Sequence, residues 1–193
     1  MRVLIATAVL LAAAFVDGCA SRRGALRHDA ALRREILAMC EVDQKVRQGF
    51  GSRMSDETAA EIQAVDARHT ARMKAIIAKH GWPGRSLVGD DGSHAAWLLV
   101  QHADSGFMAQ CLPLMKRAVA AGQASGKDYV YLLDRVRMRE GKPQVYGTQF
   151  TIAADGQLVL HPIEDAEHVE ERRRMVGLPS MAEQERMMRE IYR

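Results

Sequence analysis

From Leu32 to Arg139 the apolar residues recur at steps of three and four, and at Gln144 the step changes to two. Side chains return to one face every 3.6 residues in a helix and every two in a strand, so a change of period separates the two kinds of element. The spacing therefore predicts a mainly α chain: a single helical domain with one β-hairpin inserted near its C-terminal third.

The punctuation sets the expected elements. Leu32, Ile36, Met39, Cys40, Asp43 and Val46 share a face of a first helix, which Gly49 and Gly51 end. Ser55 is a good N-cap for a second helix, with Asp56 and Glu57 where the helix dipole favours acids. Its inner stripe is Ile62, Val65, His69, Met73 and Ile76, and Gly81-Trp82-Pro83 stops it. Residues 81–92 read as a loop, after which Ser93 caps a short, nearly all-apolar helix that Gly106 breaks. Phe107 to Ala121 follows, with Pro113 expected to kink or break it. Asp128 to Arg139 is next, ending at Gly141. Gln144 to Ile152 and Gln157 to Leu160 alternate around the turn pair Asp155-Gly156 and predict the hairpin. Asp165 is expected to cap one closing helix that ends at Gly177, and Ser180 with Glu183 forms a capping box for another.

With 193 residues, 48% of them hydrophobic, the chain can bury one substantial core. Only 5% of residues are aromatic while 11 are Met, so that core is expected to be aliphatic and Met-filled. The net charge of +3 is spread with both signs interleaved, which gives no nucleic-acid patch. Arg172-Arg173-Arg174 follows Glu170-Glu171 and reads as the charged face of a helix. Residues 1–18 read as a signal peptide: Arg2, an apolar run from Val3 to Val16 too short to span a bilayer, then Asp17-Gly18-Cys19. This resembles a bacterial lipoprotein signal with Cys19 as the lipidated residue, although Asp17 stands where small or apolar residues are usual. Cleavage near Ala20 or an uncleaved anchor are the alternatives. Residues 19–29 would then be a tether to a domain over 30–193, with the membrane reached through the lipid. Cys40 and Cys111 could pair in an oxidising compartment or remain buried thiols.

Chemistry concentrates between His80 and Gln149. His102 has the side chain suited to proton transfer near neutrality, with Asp104 or Asp134 as a carboxylate to orient it. Asp134-Arg135 sits in YLLDRVRM, and Arg135 shares a face with Tyr131. Gln101 lies beside His102. In Gln144-Val145-Tyr146-Gly147-Thr148-Gln149, amides and a phenol can position a ligand or stabilise developing negative charge, and a bulge at Gly147 would bring both glutamines to one side. Each has a plainer reading: a histidine bonded to a carbonyl, a carboxylate in an ion pair, an edge strand facing water. No HExxH, GxSxG, phosphate loop or CxxC is present, so the sequence offers no metal site, no cofactor and no Ser or Cys nucleophile.

Several blocks together resemble a bacterial domain-of-unknown-function family, catalogued as family 6624. They are Asp43-Gln44-x-x-Arg47, His80-Gly81-Trp82-Pro83, Val88-Gly89, Gln101-His102-Ala103-Asp104, Asp134-Arg135, Gln144-x-Tyr146-Gly147-Thr148-Gln149, Pro162-Ile163-x-Asp165 and Gly177-Leu178. The similarity spans roughly residues 30–180. It departs at His69, where Asn is expected, and at His80, where an aromatic is common. The resemblance implies that the His102, Asp134 and Gln149 blocks belong to one shared design, and it supplies no activity.

The expectation is thus an envelope lipoprotein with a polar cleft. His102, Asp104 and Asp134 are the candidate catalytic residues. Gln101, Arg135, Gln144, Tyr146 and Gln149 are the candidate binding residues. The chemistry would be hydrolysis or transfer on a small envelope-derived or peptide-like substrate. The alternatives are a non-catalytic module that binds a small molecule or an envelope partner, and a purely structural polar network.

Overall fold

A computed structural model describes residues 28–48, 55–153 and 157–191. The signal region with Cys19, the glycines at 49 and 51, and the Asp155-Gly156 turn lie outside the described residues. In order, the elements are α1 (Ala30–Lys45), α2 (Asp56–His80), α3 (Arg85–Gln101), α4 (Ser105–Ala120), α5 (Gly126–Arg139), β1 (Phe150–Ile152), β2 (Leu158–Leu160), a 3₁₀ turn (Ala166–His168), α6 (Val169–Met175) and α7 (Met181–Ile191). β1 and β2 pair antiparallel, Phe150 opposite Leu160 and Ile152 opposite Leu158. The domain is mainly helical with one inserted hairpin, as the spacing predicts.

α1 packs most extensively on α3, α4 packs on α5, and α2 lies against both α1 and α3. Their shared core holds Ile36, Met73, Ile76, Val88, Leu99, Met108, Cys111, Met115 and Leu132, all essentially inaccessible. Each such side chain contributes roughly 1.5–3 kcal/mol by leaving water. Three core methionines fill the volume that scarce aromatics leave. Cys40 and Cys111 are free thiols, and burial pushes the Cys111 thiol up to about 12, so it is an inert core residue.

Several boundaries differ from the expected ones. Asp29 caps α1, accepting from the Ala31 and Leu32 N–H groups. α1 ends at Lys45, before the glycines. The 81–92 segment is largely helical: only Gly89 (φ 75°, ψ 173°) leaves helical geometry inside α3. Asp104, and not Gly106, marks the α3–α4 break, its carboxylate accepting from the Phe107 N–H. α4 runs through Pro113, because the burial of Phe107, Met108, Cys111 and Met115 outweighs one lost hydrogen bond. Asp165 adopts a left-handed conformation and makes no side-chain cap; its carboxylate instead engages His168 and Arg172. The Ser55 cap and the Ser180–Glu183 capping box form as expected.

Candidate functional site

α1, α2 and the α3–α4 turn meet at a cluster of four ionisable side chains. Asp43 lies on the inward face of α1, in the row of Leu32 and Ile36, and is only 1% exposed. A buried carboxylate needs partners, and this one has three. His102, the C-cap of α3, places Nδ1 at 2.9 and 3.0 Å from its two oxygens. Arg47, just past the end of α1, donates Nη1 at 2.7 Å, and Gln44 donates Nε2 at 2.8 Å. Burial pushes the Asp43 carboxyl up, but the His102 hydrogen bond and charge, Gln44 and Arg47 outweigh it and hold it below the usual carboxylate range. Arg47 also reaches Asp66 on α2 through Nη2, so one guanidinium ties the two helices.

An ionised Asp43 accepts only, so Nδ1 of His102 must carry the proton it donates. Whenever the ring is neutral its lone pair is then on Nε2, which has no hydrogen-bond partner among the described residues. His102 lines an open cleft of about 470 Å³. One wall is α2, presenting Gln63, Asp66, Thr70 and Lys74, with the methyl groups of Ala67 and Ala71 between them. The other is the α3–α4 turn, His102 to Asp104. Lys74 donates to Asp104 at 2.9 Å across the rim, and its ammonium lies 5.4 Å from the Phe107 ring centroid. That ammonium and the Phe107 N–H hold the Asp104 carboxyl below its ordinary value. His69, next to Thr70, is 5% exposed with Nδ1 unpartnered among the described residues. Burial and the adjacent Arg68 push its pKa down, so it is a neutral group.

The other expected site residues form a separate assembly. Asp134 on α5 is fully buried and accepts from the backbone N–H groups of Val145, Tyr146 and Thr148 and from the Thr148 hydroxyl, at 2.7–3.1 Å. Burial raises its carboxyl, against the pull of those donors. On the other side of the same loop, Arg173 is fully buried and donates to the Tyr146, Gly147 and Pro179 carbonyls, while Arg172 donates to the Val145 carbonyl. Residues 144–149 are therefore an irregular loop, clamped between a carboxylate that takes its N–H groups and two guanidinia that take its carbonyls. Of the Arg172–Arg174 run, read from the sequence as the charged face of a helix, Arg174 is exposed while Arg173 is wholly buried.

Gln144 and Gln149 do come together, but as staples. The Gln144 amide donates to the Gln149 and His161 carbonyls and accepts from the Gln149 N–H. Arg135 donates to the Gln149 side chain and to the Gln101 carbonyl. Gln101 is buried and its Oε1 is unpartnered among the described residues. Tyr146 is half-buried, and its N–H is held by Asp134. The His102 cleft thus gathers His102 and Asp104, whereas Asp134, Arg135, Gln144, Tyr146 and Gln149 build the loop clamp. The carboxylate that orients His102 is Asp43, in place of Asp104 or Asp134. A charged residue on the apolar stripe of α1 was the signal for it. Among the described residues no group of three or more His, Cys, Asp or Glu side chains is placed to hold a metal ion.

The fold and site define a small helical domain with a buried carboxylate–imidazole pair opening on a cleft. The sequence profile of a family of unknown function (DUF6624) matches residues 30–193, and the chain belongs to that family. Comparison with curated proteins and with solved structures gives no match.

Proposed function

We propose that the chain is a cell-envelope protein, lipid-anchored through Cys19 or released by cleavage nearby, whose cleft performs a hydrolytic or transfer reaction with His102 as general base. The observation that carries the reading is the Asp43–His102 pair, because Asp43 takes Nδ1 of a ring that lines an open cleft and Nε2 has no partner among the described residues. The signal-like run Val3–Val16 before Cys19 supports the envelope location. Among the described residues no helix is long and apolar enough to cross a membrane.

In the reaction Nε2 takes a proton from water or a substrate hydroxyl, and the freed oxygen attacks an acyl carbon. The bond to the leaving group breaks, and the imidazolium returns the proton to that group. A positioned base of this kind accelerates a step by roughly 10²–10⁴. Asp43 fixes the ring and favours the imidazolium that forms, and Arg47 keeps Asp43 ionised and aimed.

A second reading, a binding module without chemistry, is favoured by the loop clamp, whose polar groups are consumed by structure. Nitrogen-15 NMR of the imidazole ring separates the two. The catalytic reading expects neutral His102 as the Nδ1–H tautomer, converting in Asp43→Asn to a mixture. A neutral ring protonated on Nε2 in the wild type would remove the base and leave the binding module.

A further inference from the structure

The charges along the cleft specify the shape and polarity of what lies in it. Asp66, Thr70 and Lys74 occupy successive turns of one face of α2, so the backbone positions that carry the acid and the amine are about 12 Å apart at 1.5 Å per residue. Between them the wall is low, because Thr70 is buried and Ala67, Ala71 and Ala103 present only methyl groups. An extended backbone can therefore approach closely along this line, directly past His102.

Both ends are available for exchange. Only one Asp66 oxygen is taken, by Arg47, and the other has no hydrogen-bond partner among the described residues. Lys74 uses one of its three donors, on Asp104, in a pair whose side chains are 51% and 54% exposed. Exposed pairs of this kind hold weakly, so a ligand carboxylate can share or displace the bond. Beside His102 the lining carries two acids, Asp66 and Asp104, and one base, Lys74, which disfavours a dianion such as a phosphate monoester. It suits a ligand carrying one positive and one negative end.

We infer that the cleft takes a short peptide with free termini, its carboxylate on Lys74, its ammonium on Asp66, and a backbone carbonyl beside His102. An extended chain rises about 3.3–3.6 Å per residue, so a separation of this size corresponds to three or four residues. The inference rests on the cleft being the functional site and extends that reading by naming the ligand class and its direction.

Calorimetric titration of the full chain with trialanine, trialanine amide and N-acetyl-trialanine tests it. Trialanine binds, and blocking either end weakens binding about tenfold. Lys74→Gln removes the preference for the free acid over the amide, and Lys74→Arg keeps it. The three-probe comparison needs no variant, so it decides even if Lys74→Gln fails to fold. Equal binding of all three probes, no binding of trialanine at millimolar concentration, or an intact acid preference in folded Lys74→Gln overturns the peptide assignment. None of these outcomes touches the His102 tautomer, so the general-base reading fails or stands separately.

Discussion

Two buried carboxylates do opposite work in this molecule. Asp43 spends its acceptors on three side chains, one of which, His102, lines the cleft. Asp134 spends its acceptors on loop backbone and on Thr148, and offers nothing outward. Removing it leaves three N–H groups and a hydroxyl without their acceptor, and each buried unpaired group costs about 1–3 kcal/mol. Asp134→Ala is therefore expected to lower stability by about 3 kcal/mol or more in urea unfolding. A loss under about 1 kcal/mol would mean that the loop does not depend on the carboxylate. In the sequence the two acids differ little, since both sit in helices among apolar residues. Asp43 was visible as a charge within an apolar stripe, but its partner lies 59 residues away and no local pattern joins them. Likewise, nothing in three consecutive arginines says that Arg173 alone is wholly buried.

At the level of elements, helices were legible because their signals are local. Ser55, Gly81 and the Ser180–Glu183 box each act within one turn of themselves. The 144–149 segment was not, because its alternation imitates a strand while its backbone groups are taken by side chains from α5 and α6. Its backbone pairing is limited to a parallel bridge, Gln144 to Ile163, and to the Gln149 carbonyl, which accepts from the His161 N–H beside β1. What allows the segment to turn is Gly147, at φ 67°. A Cβ there would lie 2.6 Å from Met181 Sδ and 2.9 Å from Ile163 Cδ1, against α7 and the segment after β2. Gly147→Ala adds displacement of the Met181 and Ile163 side-chain ends to left-handed strain and is expected to cost about 1–3 kcal/mol. Gly141, at φ 71° with nothing within 4 Å of its Cβ, is the control. Gly141→Ala should cost only about 1 kcal/mol, from strain alone. Equal losses in the two variants, measured by thermal unfolding, would show that the contacts with Met181 and Ile163 do not matter.

On the scale of the whole molecule, the Asp43 cluster joins α1, α2 and the α3–α4 turn, and its charges set the response to acid. The folded-state pKa of Asp43 lies below its unfolded value, so its contribution is present above that unfolded value. It is lost as pH falls through the folded one. Glu35 beside Arg72, Asp91 beside Arg33 and Asp104 beside Lys74 shift in the same direction, but their half-exposed pairs add little. Asp134 has the opposite sign: its raised carboxyl takes up a proton more readily in the folded state, so stability gains as pH falls through that raised value. The urea midpoint is therefore expected to stay nearly level from neutrality to about pH 5 and to fall once pH drops below about 4, the ordinary carboxylate value, because unfolded Asp43 then takes up a proton that the folded carboxylate, held by His102 and Arg47, resists. Asp43→Asn should be less stable than wild type at neutral pH and lose less between about pH 5 and pH 3, since the group that carries most of the acid sensitivity is already uncharged. If the variant falls as steeply as wild type over that interval, the acid response belongs to the surface pairs. The Asp43 cluster would then not be what holds the three elements together.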